Sequence, residues 1–303
     1  MSETVRSGSK SIRQKFSERL PRGKLELLAK NKNFIGSLSV VLIVILLGLV
    51  GPFVTRYDPH DITFTNFLPA SWDHLLGTDE LGRDVFAELV YGIRNSLFIG
   101  LVAIAVSLAI TLFLGGLCPY KGGFADDTSN VLCNVFLTLP LTPLLLIISA
   151  SLQVRSVLLV AVIVGFFNWP GGTRMIRSQV LSLKERNFVK LARVTGKGKG
   201  KILFEEIFPN MLALIFIRIF MQLGSAILAE SGISLLGLGP SKSITIGIIL
   251  HNVITSTAIG DTAWPYLIAP GVVLLALTGG LIMMGSTMDE VLNPRLRGGL
   301  VRL

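Results

Sequence analysis

The chain has 303 residues, 51% of them hydrophobic, and a formal net charge of +9. A mean hydropathy of +0.67 excludes an ordinary soluble domain, and its uncharged runs lack the alternating polarity of a membrane β-barrel. The class left is an all-α, polytopic membrane protein.

Residues 1–33 carry nine Lys/Arg and read as a cytoplasmic tail against an anionic lipid surface. Pro21 and Gly23 divide its helical pattern. So long a polar lead-in argues against a cleaved secretory signal, and residues 34–55 are expected to stay as the first anchor. Crossing the hydrocarbon layer takes about 20 mostly apolar residues. Residues 34–54, 95–118, 128–154, 156–173 and 262–288 contain no charge, and 207–229 contain only Arg218. That predicts six transmembrane helices. Between the first two lies 56–94, with seven acidic and three basic residues, read as extracytoplasmic.

Residues 243–260 are uncharged as well. Lys and Arg in short loops favour the cytoplasmic side, and six spans put the tail, Lys121, the 174–201 loop and the 289–303 end together there. A seventh span would send Arg295, Arg297 and Arg302 outside. Residues 243–260 are therefore expected as a partly buried excursion on the outer side. Topology also accounts for the +9 charge without nucleic acid. Pro140 and Pro143, Pro170, and Pro265 and Pro270 fall inside spans, where breaks are tolerated if neighbours replace the lost hydrogen bonds. Cys118 and Cys133 read as packing residues, and His60, His74 and His251 lack zinc-ligand spacing.

The stretch NFVKLARVTGKGKGKILFEEIFPN, residues 187–210, interrupts the apolar pattern. Phe188, Leu191 and Val194 follow an i, i+3 helical rhythm, with Ala192 leaving room for close packing. Gly196 fits a helix stop, ILFEEIF resumes the helix, and Pro209-Asn210 marks entry to the next span. The expected product is a helix–turn–helix with an apolar side and no lipid to cover it, so a second protein is the natural recipient. GKGKGK is not a phosphate-binding loop, because Thr195 and Ile202 replace the required glycine and hydroxyl residue. Energy must come from another subunit.

From Ala192 through Gly196 to Phe208-Pro209-Asn210, the pattern resembles the EAA loop of ATP-binding cassette (ABC) importer permeases. LGTDELGRDVFAELVYGIRNSL (76–97), ILAESGISLLGLG (227–239) and MDEVLNPRLRG (288–298) are similar to further stretches of the dipeptide, oligopeptide and nickel branch. The chain looks like the C-type subunit of the permease pair. The resemblance covers about 34–298 and implies the type I ABC importer permease fold, with a five-helix core at 95–288 and a coupling loop at 182–208. It implies a coupling role for Lys190, Leu191, Ala192, Gly196, Lys197, Gly198, Lys199, Phe208, Pro209 and Asn210. Family-motif residues are Gly77, Thr78, Asp79, Gly82, Arg83, Asp84, Glu230, Asp289, Pro294 and Arg295.

The implied partners are a homologous B-type permease, two cytoplasmic ABC ATPases holding ATP and magnesium, and an extracytoplasmic solute-binding protein. This chain itself would bind no cofactor and hydrolyse nothing. The implied location is a prokaryotic inner membrane. Peptide is the first-choice cargo, with oligosaccharides or nickel complexes as alternatives. Two departures stand out: Lys190-Leu191-Ala192 replaces Glu-Ala-Ala, and GKGKGK brings three glycines that each cost a helix interior about 1 kcal/mol.

The sequence also bears on two other functional classes. An intramembrane enzyme needs cooperating charges, yet Arg218 and Glu230 lie about 18 Å apart along a helix. They read instead as pathway or gating residues. An ATP-independent channel leaves the cytoplasmic helix–turn–helix unexplained.

Overall fold

A computed structural model describes residues 27–62, 64–256 and 264–292. The described residues are helical with no strand. In chain order the helices are α1 (Lys32–Val54), α2 (Val85–Leu112), α3 (Cys118–Lys121), α4 (Phe124–Thr138), α5 (Leu141–Ser151) and α6 (Val157–Phe167). They continue with α7 (Pro170–Lys184), α8 (Asn187–Val194), α9 (Lys199–Ile202), α10 (Phe208–Leu235), α11 (Ile246–Thr255) and α12 (Trp264–Leu292). Two π-helical turns, Phe113–Leu117 and Leu203–Ile207, join α2 to α3 and α9 to α10.

Four continuous helices are long and apolar enough to cross a membrane. Two bent pairs, α4–α5 at 83° and α6–α7 at 45°, bring the number to the six expected spans when each pair is counted as one. The bends fall where the sequence weakens helical hydrogen bonding. Pro140 precedes α5 and Pro170 opens α7, and neither has an N–H to donate. The expected boundaries need correction at these points. Residues 128–154 and 156–173 are each divided between two helices, and α7 runs past the apolar run to Lys184.

Helices α1, α2, α10 and α12 share one core, in which Val41, Val44, Ile93, Leu223, Ile227, Leu277 and Leu281 are buried. Lipid gives little hydrophobic drive for helices to associate, so close packing has to supply it. An added Cβ on Gly165 of α6 would lie 2.5 Å from the Ala103 carbonyl oxygen of α2, and one on Gly224 of α10 would lie 3.0 Å from that of Thr278 on α12. The backbones therefore touch directly.

The bundle has two distinct ends. One gathers residues 55–62, 64–84 and α11, whose ten residues are too short to span. Ile246, Ile249 and Val253 are buried there, so the expected partly buried excursion is a short packed helix. At the other end lie Tyr120, the end of α7, α8, α9 and the start of α10. Leu28 packs on Ile217, Val291 and Leu292, which brings both ends of the described chain together. The stretches 1–26, 257–263 and 293–303 lie outside the described residues.

Candidate functional site

Residues 187–210 form the expected helix–turn–helix. Helix α8 stops where Gly196 takes φ +78° and its amide donates to Arg193 O at 3.0 Å, while Lys197 N donates to Ala192 O at 3.1 Å. Glycine is the residue that accepts this left-handed closure. Gly198 serves as the N-cap of α9, so only Gly200 of the three glycines lies within a helix. The expected accumulation of glycine cost in the helix is therefore corrected: two of the three form the turn.

The two faces of α8 differ. Val189 and Ala192 are buried against Ile176, Val180, Ile202 and Ile207. Phe188, Leu191 and Val194 point outward, with Leu191 65% and Val194 84% exposed. Lys190 pairs loosely with Glu185 at 3.7 Å, and Lys199 is exposed. Lys197 donates to Glu206 at 2.7 Å, closing the turn onto the next helix. Hydrogen bonding to Glu206 raises the Lys197 ammonium above its ordinary value. Phe208 stacks edge-on with Phe204, and the Asn210 side chain donates to the Glu206 carbonyl, so Phe208-Pro209-Asn210 lies within one continuous helix.

At the opposite end, LGTDELGRD folds into a compact knot. Thr78 Oγ1 donates to Thr65 O at 2.7 Å and accepts from Leu68 N at 2.8 Å. Asp79 accepts from the amides of Leu81 and Arg83 and from the Arg83 guanidinium, with Nε at 2.7 Å. Arg83 also meets the fully buried Glu88 at 3.1 Å. Burial works against the Arg83 charge, but Glu88 and then Asp79 outweigh it and hold the proton more firmly. Asp84 caps α2 by accepting from Ala87 N at 2.7 Å, and its other oxygen meets His74 Nδ1 at 2.8 Å. Gly77 and Gly82 have φ +78° and +75°, each tight against a carbonyl oxygen.

Glu230 is fully buried and accepts from Ser234 Oγ at 2.6 Å, with Ser96 and Ser231 at 3.4 Å. Ser96 in turn accepts from Ile246 N, so this carboxylate ties α2, α10 and α11 together. Arg218 lies elsewhere. It lines a cavity of about 420 Å³ beside the α6–α7 bend, together with Asn168, Gly171, Gly172, Gln222 and Ser225, and its Nε reaches Met175 Sδ. The structure does not bring Arg218 and Glu230 together. Asp289 lies in the last turns of α12. Pro294 and Arg295 lie outside the described residues.

Several contacts were missed from sequence. Arg155 donates to Gly239 O at 2.9 Å, fixing the 227–239 stretch to the α5–α6 connection. Arg177 grips Asp126 at 2.7 Å. Gln222 donates to Ser107 Oγ and Asn168 O. These partners are far apart in the chain, and no local pattern announces them. Among the described residues no His/Cys/Asp/Glu group has a metal-binding arrangement.

Residues 107–298 match the family of binding-protein-dependent transport system inner membrane components. The chain is 30% identical to the dipeptide transport system permease protein DppC of Bacillus subtilis (strain 168), over 89% of this chain and 84% of that one. It is 30% identical to the di/tripeptide transport system permease protein DppC of Pseudomonas aeruginosa, over 89% and 90%. The dipeptide permease protein DppC of Alkalihalophilus pseudofirmus is 31% identical, over 91% and 90%. The chain therefore belongs to the binding-protein-dependent ABC importer permeases, as a multi-pass membrane subunit that works in a complex with other subunits.

Proposed function

We propose that this permease forms half of a membrane path for di- and oligopeptides, and that residues 187–210 carry the movement of ATPase partners into that path. The observation that carries the coupling role is the outward row of Phe188, Leu191 and Val194 on a helix anchored by Val189 and Ala192. Apolar groups of this size on a rigid, basic helix suit a groove on another protein. Docking moves α8, and Lys197–Glu206 passes that motion to α9 and α10.

The remaining parts follow the family. A homologous permease supplies the other half of the path. Two cytoplasmic ATPases hold ATP and magnesium and supply the energy. A solute-binding protein delivers cargo to the opposite face, where residues 56–62, 64–94 and 240–256 lie. The excess of Lys and Arg in the sequence at the 187–210 end and at both termini supports a cytoplasmic side for them. Peptide cargo is supported by the names of the relatives.

The decisive experiment is ATP hydrolysis by the reconstituted complex with its binding protein, across short peptides, oligosaccharides and nickel complexes. Stimulation by peptides alone is expected. Stimulation by sugar or nickel replaces the cargo but keeps the machine. A Leu191→Asp/Val194→Asp variant should fold normally and lose at least tenfold in transport, because both side chains are exposed in the free chain. Wild-type transport by this variant would end the coupling assignment.

A further inference from the structure

The cavity beside Arg218 has a chemical sense of its own. Helix α7 begins there, and its first-turn amides belong to Gly171 and Gly172, both lining the cavity. The first N–H groups of a helix have no partner within it, and no side chain caps α7. Pro170 supplies no donor, and Thr173 N already donates to Trp169 O at 3.0 Å. What faces the cavity is therefore a glycine-lined helix start with the positive end of the helix dipole behind it. A broken span presenting such an end within the membrane favours an anionic group.

Arg218 adds a full positive charge to the same cavity. No carboxylate among the described residues forms an ion pair with it: the Asp289 charge acts on it only from beyond ion-pair distance, and its Nε meets the Met175 sulfur. An arginine within a span is costly and calls for a partner. Gln222, one turn further along α10, is 95% buried. Its amide nitrogen is used twice, by Ser107 and Asn168, while its Oε1 accepts nothing. The lining thus offers donors and positive charge for an anion, while the unfilled Gln222 Oε1 is packed away behind it.

We infer that this cavity is a subsite for the C-terminal end of a transported peptide: Arg218 and the Gly171 and Gly172 amides take the terminal carboxylate. The assignment of a peptide rests on the proposed function, whereas the preference for a carboxylate rests on the cavity alone. A neutral sugar brings the guanidinium no counter-charge of its own, and a bare metal cation is repelled by it. Arginine is suited to this task because its planar fork meets both carboxylate oxygens.

The test uses the whole detergent-solubilised complex, without ATP or binding protein. Equilibrium binding of dialanine and of dialanine amide is compared for wild type, Arg218→Gln and Arg218→Lys, each first shown to assemble by size-exclusion chromatography. Wild type should bind dialanine about tenfold or more tightly than the amide, the range expected for a charge-assisted contact. Arg218→Gln should erase that preference, and Arg218→Lys should keep part of it. Equal binding of the two ligands by wild type, binding of neither, or an unchanged preference in Arg218→Gln overturns the subsite. Uptake of dialanine into proteoliposomes is read alongside. Preferential binding without any uptake leaves the subsite standing and removes the peptide-import reading.

Discussion

The two ends of the bundle use the same residue types in opposite ways. At the 64–88 end, charge and glycine are turned inward. Asp79 and Glu88 are fully buried, Arg83 lies between them, and Gly77 and Gly82 press against backbone carbonyls. At the 187–210 end they are turned outward. Leu191 and Val194 are exposed, and nothing lies within 4 Å of where a Cβ on Gly196, Gly198 or Gly200 would stand. The first region spends its chemistry on its own fold. The second leaves apolar surface and positive charge available to something else.

This contrast is most easily broken at Arg83. Removing its side chain takes the counter-charge from two buried carboxylates; Asp79 keeps the Leu81 and residue-83 amides, but neither Glu88 oxygen has a well-aligned hydrogen bond to fall back on. Breaking one side of a buried ionic group costs about 3–5 kcal/mol. Arg83→Ala should therefore abolish recovery of folded complex or lower its Tm sharply. A Tm near wild type would mean that the knot does not stabilise this end.

The glycines sharpen the same comparison at smaller scale. Gly82→Ala meets two obstacles, a positive φ and a Cβ 2.1 Å from the Phe64 carbonyl oxygen. Gly196→Ala meets only the first, which costs about 1–2 kcal/mol. Gly82→Ala should depress thermal stability markedly more than Gly196→Ala in the same melting assay. A β-branched residue at 196 adds a functional prediction. Gly196→Val should leave the bundle assembled and separate ATP hydrolysis from transport, because it distorts the turn that joins α8 to α9. Equal losses at Gly82 and Gly196, or full transport by Gly196→Val, would erase the difference between the two ends.

The residues explain how much of this was legible beforehand. Six spans followed from uncharged length, and the hairpin followed from the Phe188–Leu191–Val194 rhythm and Gly196, because both signals are local. The outward direction of that rhythm was inferred from the lack of lipid, and Val189 as the anchoring face was missed. The motif residues Asp79 and Arg83 were recognisable only as a resemblance; their closure over Glu88 depends on burial, which spacing does not encode. The Arg218 cavity was less visible still. It needs the α6–α7 bend to carry Asn168, Gly171 and Gly172 to Gln222 and Ser225, at least 50 positions away. Pro170 marked the bend but not its 45° angle or what it would face.

The smallest expected effect is at Lys197, and its size is informative. Its side chain is 35% exposed, so the bond to Glu206 is screened by water and salt. Lys197→Ala should lower stability by no more than about 1 kcal/mol at neutral pH, with the difference shrinking at high salt. The sign of its titration follows from the raised ammonium. A folded-state value above the unfolded one contributes stability that is fully present below the unfolded value, about 10.4 for lysine. That contribution is lost as pH rises through the folded value. Melts between pH 6 and pH 9 should therefore show the same small difference between Lys197→Ala and the wild type. A difference that grows within that window would place another titrating group in the turn. If transport falls far more than stability does, the pair transmits motion rather than merely closing the turn, which is the distinction between the two ends expressed at a single ion pair.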